Sequence, residues 1–152
     1  MKTLLIVFHS MTGGTKQMAQ AAARGAQQEG GISVRLLAAD GYIFATPENL
    51  AAMSGRMKDF FDRSYYAALD RTNGRPYAML ICAGSDGTNA VRQMSRIATG
   101  WRLRQVAEPL IVCTHAQTPE AILAPKHIAR ADIGRCEDIG VALASGLAMG
   151  IF

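Results

Sequence analysis

The chain has 152 residues, of which 49% are hydrophobic and 18% are charged. This length fits one domain with one core over residues 1–152, and the composition is too apolar for a disordered chain. The net charge of +4 is small and its lysines and arginines are scattered, which favours solvated surfaces over nucleic-acid binding. No apolar run approaches the length of a membrane span.

The three cysteines, Cys82, Cys113 and Cys136, are odd in number and widely spaced. This pattern favours core residues over a disulfide or a metal set, and it predicts a reducing cytoplasm. Only five apolar residues precede His9, which is too short a stretch for a signal peptide.

The first predicted element is a strand over Thr3–Phe8, a continuous apolar run typical of a parallel sheet covered by helices on both faces. The turn His9–Gly14 follows it. An alanine-rich and glutamine-rich helical pattern then runs from about 15 to 28 and ends at a glycine pair. The apolar runs Ile32–Leu37 and Tyr42–Thr46 predict the second and third strands.

The second predicted helix runs from about 49 to 66. Its predicted inner face consists of Leu50, Met53, Met57, Phe60 and Phe61. A fourth strand follows at Tyr77–Ala83, then a helix over about 88–99, a fifth strand at Leu110–Thr114 and a closing helix over about 129–149.

Five buried strands that alternate with helices predict an α/β fold with a doubly wound, five-stranded parallel sheet. Right-handed crossovers leave few topologies. The strand order 2-1-3-4-5 fits five strands best, because its switch point falls beside strand one.

The connection between the second and third predicted strands, residues 38–41, is too short for this fold. A parallel crossover needs roughly a dozen residues. Strand two could be misassigned, its helix could be deleted, or the numbering could run straight across a missing segment. We favour the last explanation, which predicts a Cα–Cα separation between Leu37 and Asp40 far above the ~3.8 Å per residue of a continuous chain.

The turn after strand one has the sequence HSMTGGTK and opens a helix. A helix start exposes N–H groups and the positive end of the helix dipole, and glycines let a phosphate approach the backbone. Ser10, Thr12 and Thr15 add hydroxyl donors. The turn therefore predicts a phosphate monoester held largely by neutral donors, and its alternative is a helix start capped by Ser and Thr without a ligand.

Other phosphate-binding turns do not match. The glycine spacing of a P-loop and the G-x-G-x-x-G fingerprint are both absent. Phe8 and His9 stand where a response-regulator receiver has acidic residues, and no cysteine of a Cys-based phosphatase loop lies in the turn.

This turn resembles the phosphate loop of flavodoxins. The runs DGYIFATPEN at Asp40–Asn49 and MSGRMKDFFDR at Met53–Arg63 are similar to the NAD(P)H-dependent FMN reductases of flavodoxin-like fold, including the WrbA-like quinone reductases. In that family a strand ends in a Thr-Pro turn, and a helix carries a similar Met-Lys-Asp-Phe run. With the loop after strand four, the resemblance covers most of Thr3–Thr114.

The resemblance implies FMN bound by three loops. The first would hold the phosphate, the second would line the isoalloxazine ring, and the third would contact the other edge of the ring. The implied residues are Ser10, Met11, Thr12, Gly13, Gly14 and Thr15 in the first loop, Thr46, Pro47, Glu48 and Asn49 in the second, and Ala83, Gly84, Ser85, Asp86 and Gly87 in the third. All three loops follow predicted strands, at the edge where open α/β sheets bind ligands.

Two ionisable residues near this edge bear on the chemistry of a flavin. Glu48, with Asn49, stands where WrbA-like enzymes usually carry an arginine and an aromatic residue, and its charge would lower the reduction potential of the flavin. His115, after strand five, is the group suited to proton transfer at neutral pH, and its alternative is a surface histidine.

We expect hydride transfer from NAD(P)H to FMN and then to a quinone, a free flavin or a similar small-molecule acceptor. Neither ring loop contains an aromatic residue and the net charge is positive, whereas a one-electron carrier covers its flavin with aromatics and presents an acidic face. The alternatives are such a flavodoxin-type carrier and a non-catalytic flavodoxin-like binding module. The resemblance also implies a possible homo-oligomer.

Overall fold

In the computed structural model, the described residues are 2–27 and 39–152. The chain alternates strands and helices, as the hydrophobic pattern predicts. The elements are β1 (Leu4–Phe8), α1 (Gly14–Gln27), β2 (Gly41–Asn49), β3 (Ala52–Met53), α2 (Gly55–Ala68), β4 (Pro76–Ala83), α3 (Thr88–Gly100), β5 (Arg104–Gln105), β6 (Leu110–Cys113), α4 (Pro119–Leu123) and α5 (Arg130–Ala148).

The sheet has parallel strands in the order β1-β2-β4, and both β5 and β6 pair with β4. These strands contain the predicted strands one, three, four and five, and they are neighbours in the predicted order. The α/β parallel architecture is therefore confirmed. The predicted second strand at Ile32–Leu37, and the predicted break between Leu37 and Asp40, involve residues outside the described part of the chain.

Alternating side chains of β2 enter two separate cores. Ile43 packs on the side of α1 and α5, whereas Phe44 packs on the side of α2 and α3. In the second core, Phe44 and Phe61 both lie edge-on to Trp101. Trp101 is therefore a packing residue and lies away from the carboxyl edge of the sheet.

Helices α1 and α5 approach each other backbone to backbone. A Cβ atom on Gly140 would lie 1.9 Å from the carbonyl oxygen of Ala22, and one on Gly25 would lie 2.1 Å from that of Glu137. Two glycines that face the opposite backbone let the helices pack at this distance. The pair fixes α1, and with it the turn that precedes α1.

The predicted start of the second helix at Asn49 is wrong. β2 continues to Asn49, turns through Leu50 and Ala51, and pairs antiparallel with β3. The helix begins only at Gly55, where the Ser54 hydroxyl accepts a hydrogen bond from the Met57 N–H. Met57 and Phe61 are buried as predicted, but Leu50 is fully exposed at the tip of the hairpin.

Two short elements had no counterpart in the predicted pattern. Strand β5 lies one short loop before β6, and Pro109 in that loop has no N–H to extend the ladder. Helix α4 has Pro119 in its first turn and is capped by the Thr118 hydroxyl. No helix within the described ranges is long and apolar enough to cross a membrane.

Candidate cofactor site

A cleft of about 540 Å³ lies at the carboxyl edge of the sheet. This volume falls in the range of small-molecule and cofactor pockets. Of the predicted site residues, those in its lining are Ser10, Met11, Thr12, Gly14, Thr15, Pro47, Glu48, Asn49, Ala83, Gly84 and Ser85. The three predicted loops therefore meet in one cleft, as expected for the carboxyl ends of parallel strands.

The first loop forms one end of the cleft. The Ser10 hydroxyl accepts a hydrogen bond from the Gly13 N–H at 3.1 Å, so that amide is used within the loop, and Gly13 does not line the cleft. Within the described ranges, the N–H groups of Gly14, Thr15 and Lys16 in the first turn of α1 have no protein acceptor. Such free amides at a helix start bind anions.

Gly14 lies against the floor of this end of the cleft. A Cβ atom there would be 2.6 Å from the Cys82 sulfur and 3.3 Å from the Lys126 Cβ. A larger residue would therefore push on the cleft wall. Burial raises the pKa of the Cys82 thiol, against smaller opposing effects of Thr15 and Lys126, so Cys82 stays neutral.

Thr15 provides a weakly satisfied polar atom in the lining. Thr15 is 1% exposed, and its hydroxyl has no partner other than the Cys82 thiol, which is a weak hydrogen-bonding group. Buried hydroxyl groups nearly always have a strong hydrogen-bond partner, so this one indicates a ligand atom or a water at the first loop.

The second loop is a strand end and hairpin. Glu48 accepts a hydrogen bond from the Gly87 N–H at 2.8 Å, and the Asn49 amide donates to the Met11 sulfur at 3.3 Å. Thr46 does not line the cleft. It is fully buried, and its hydroxyl accepts from the Ser54 N–H, so it holds the end of β2 to the start of α2.

The third loop contributes less of its length than predicted. Asp86 and Gly87 lie outside the lining, although Ala83, Gly84 and Ser85 lie within it. The Asp86 carboxylate instead accepts hydrogen bonds from the Thr88 N–H and hydroxyl at the start of α3. Gly87 supplies the amide that holds Glu48.

His115 also lies outside the lining. His115 is exposed and has a φ of 58°, and its backbone N–H donates to the Gly84 carbonyl. The backbone therefore turns at His115 and places its neighbours Thr114, Ala116 and Gln117 in the lining instead.

His9, at the end of β1, lies outside the lining too. Its Nδ1 atom is buried without a hydrogen-bond partner. Burial, and then the charge of Arg56, lower the pKa of His9, so its imidazole is held neutral.

The segment after β6 forms a wall that the sequence reasoning missed. Its lining residues, together with the other missed ones, are Thr114, Ala116, Gln117, Ile122, Leu123, Lys126, Leu50 and Cys82. The Lys126 N–H donates to the Thr12 carbonyl at 2.7 Å, and the Gln17 amide donates to the Lys126 carbonyl at 2.7 Å. The run Thr118-Pro119-Glu120 signals a helix start, but nothing local places that helix on the cleft.

The chemistry of this lining fits FMN. One end offers free amides, a buried hydroxyl and a glycine at the closest approach, which suit a phosphate. The other end is apolar and carries backbone groups of the second and third loops, which suit a planar heteroaromatic ring.

A family model described as NADPH-dependent FMN reductase matches residues 32–118. The chain belongs to the NADPH-dependent FMN reductase family. The match includes the second and third loops of the cleft, and so the resemblance carried by Asp40–Arg63 is confirmed.

Known structures share the fold of this chain. A flavodoxin, WrbA-like protein from Agrobacterium tumefaciens superposes with a TM-score of 0.78 at 20% identity, over 98% of this chain and 99% of that one. A flavodoxin from the domain Archaea gives a TM-score of 0.75 at 16% identity, over 97% and 99%. The flavodoxin-like fold is thus confirmed.

A curated flavodoxin from Aquifex aeolicus is 37% identical over 73 residues. The alignment spans 41% of this chain and 40% of that flavodoxin.

Proposed function

We propose that this chain is an FMN-dependent reductase that passes hydride from NAD(P)H to a quinone, a free flavin or a similar small acceptor. The observation that carries the proposal is the cleft itself. Its first loop offers free amides and a hydroxyl with no oxygen or nitrogen partner, and most of the remaining lining surface is apolar.

FMN, when bound, supplies the ring that accepts and returns hydride. The residues of the chain bind and orient it. The first turn of α1 and the Thr15 hydroxyl would hold its phosphate, and Pro47 and Ala83 to Ser85 would flank its ring. No side chain is required to act as a nucleophile or as a general base.

The lack of aromatic cover favours a reductase. Within the described part of the chain, the lining contains no Phe, Tyr or Trp. Exposed Met11, Leu50, Ile122 and Leu123 form its apolar rim. A nicotinamide and then a planar acceptor can stack against such an uncovered ring in turn.

The test is steady-state oxidation of NADPH and of NADH by the full chain loaded with FMN, with a soluble quinone as acceptor. We expect turnover that depends on protein, on FMN and on quinone together. Thr15→Val removes the buried hydroxyl at nearly constant volume and should weaken FMN binding about 10-fold. Turnover no faster than that of free FMN at equal concentration would refute the proposal.

A one-electron carrier is the second candidate, and the identity to the Aquifex aeolicus flavodoxin favours it. A carrier would bind FMN and accept electrons from a separate reductase, but it would not oxidise NAD(P)H alone. A non-catalytic module would bind no FMN in equilibrium dialysis. These outcomes separate the three functions.

We further propose that the chain works in a reducing cytoplasm and assembles as a homo-oligomer. Cys82, Cys113 and Cys136 are all free thiols, which favours a reducing cytoplasm. In the homo-oligomer, a neighbouring copy would complete the open side of the cleft. Analytical ultracentrifugation of the purified chain tests this, because an oligomer would sediment faster than a monomer.

A further inference from the structure

The first loop alone leaves most of the charge of an FMN phosphate uncompensated. A phosphate monoester carries about −1.5 to −2 charges near neutral pH, whereas a helix N-terminus acts as roughly half a positive charge. The other ligands of that loop are neutral hydroxyls. Lys16 follows the loop, but its side chain is exposed and lies outside the lining.

Lys126 brings a cation to this end of the cleft from the opposite wall. It is the one lysine or arginine in the lining, as far as the chain is described. Hydrogen bonds through its N–H to Thr12 and through its carbonyl from Gln17, both 2.7 Å long, hold its backbone against the first loop. Its Cβ atom faces Gly14.

The ammonium group of Lys126 has a free donor and no paired carboxylate among the described residues. It donates to the Ile122 carbonyl at 2.8 Å and to the Ala124 carbonyl at 2.6 Å. An ammonium has three N–H donors, so one remains for a ligand. No carboxylate of the described residues forms an ion pair with it.

We propose that Lys126 is the charge partner of the FMN phosphate and makes the cleft selective for phosphorylated over unphosphorylated flavin. The inference rests on the proposed FMN site. It assigns to the segment after β6 a binding role that the sequence of the first loop does not contain. Riboflavin, which has the same ring and no phosphate, is the probe that isolates it.

The experiment compares Kd for FMN and for riboflavin, measured by equilibrium dialysis of the flavin-free full chain. Wild type should bind FMN more tightly than riboflavin. Lys126→Met keeps most of the stem and removes the charge, and it should raise the Kd for FMN about 10- to 100-fold. The Kd for riboflavin should change by no more than about threefold, because riboflavin has no phosphate that could interact with Lys126.

Two variants act as controls. Arg96→Met removes an equal charge from an exposed position of α3 outside the lining and should change the Kd for FMN by about threefold or less, since any effect acts through solvent. Lys126→Arg retains the charge and should recover part of the preference for FMN. In wild type, added NaCl should weaken binding of FMN more than that of riboflavin, a result that requires no variant to fold.

Each other outcome is decisive. Equal losses of both flavins in Lys126→Met would mean that Lys126 is only structural and would overturn the inference, as would equal affinity of wild type for both flavins. In those cases the proposed reductase would survive, because flavin binding and turnover are measured separately. Failure of wild type to bind either flavin would refute both.

Discussion

The contact between α1 and α5 predicts opposite effects for the same substitution at two glycines of one helix. A Cβ atom at Gly140 would lie 1.9 Å from the Ala22 carbonyl oxygen and 3.0 Å from the Ala26 nitrogen. A Cβ atom at Gly134, six residues earlier in α5, would meet nothing within 4 Å. Gly134→Ala is therefore the matched control for Gly140→Ala.

The magnitudes follow from two competing terms. Gly→Ala inside a helix adds about 1 kcal/mol to the free energy of unfolding when nothing clashes. At Gly140 the helices must also separate by roughly 1.5 Å to reach ordinary contact, and backbone atoms cannot rotate away. Overpacking of this kind costs about 3 kcal/mol. We expect Gly140→Ala to lose about 2 kcal/mol and Gly134→Ala to gain up to about 1 kcal/mol.

Urea denaturation followed by circular dichroism measures both free energies. In thermal scans, the Tm of Gly140→Ala should be about 4–8 °C lower than that of wild type, and the Tm of Gly134→Ala should be about 2–4 °C higher. Gly25→Ala approaches the same contact from α1, at 2.1 Å from the Glu137 carbonyl oxygen, and should reproduce the loss. Equal stability of Gly140→Ala and Gly134→Ala would show that the two helices are not in backbone contact.

Three further variants test the cleft and its surroundings. Glu48→Gln should raise the two-electron midpoint potential of bound FMN on the order of 30 mV, about 1.4 kcal/mol, because it removes a negative charge from the lining; an unchanged potential in redox titration would contradict this. The double variant Leu50→Asn/Ala51→Gly should raise the free energy of unfolding by about 1 kcal/mol, because φ values of 51° and 59° strain both residues. A lower free energy of unfolding in urea denaturation would contradict this. His9→Asn should flatten the loss of stability that occurs as the pH falls through about 6.5. Burial, and then Arg56, lower the folded pKa of His9 below about 6.5, so the unfolded chain takes up the proton first and wild type weakens as pH falls; parallel stability curves would refute this.

The strands of the sheet were predictable because each is a short apolar run bounded by turns. The predicted strands Thr3–Phe8 and Tyr77–Ala83 each differ from β1 and β4 by one residue, at the start. The first loop was equally local, since glycines and hydroxyl residues stand between a strand and a helix. Sequence patterns of this kind predict the structural features that are determined by residues close together in the chain.

The hairpin after β2 was not predictable by the same means. Met53 and Met57 have helical spacing with Leu50, which favoured an early helix. A two-residue turn in which both φ values are positive usually contains Asn-Gly, whereas here it contains Leu50-Ala51. Its geometry is fixed from outside, because the Asn89 amide donates to the Ala51 carbonyl at 2.5 Å. No residue within the hairpin signals that bond.

Gln17 connects two parts of the cleft that are synthesised at different times. Its amide group bonds to Lys126 and Ile128, which lie more than 100 residues further along the chain. A growing polypeptide therefore contains the first loop long before it contains the wall that faces it. The complete cleft, and with it the proposed flavin site, can form only once residues 126–128 have been synthesised.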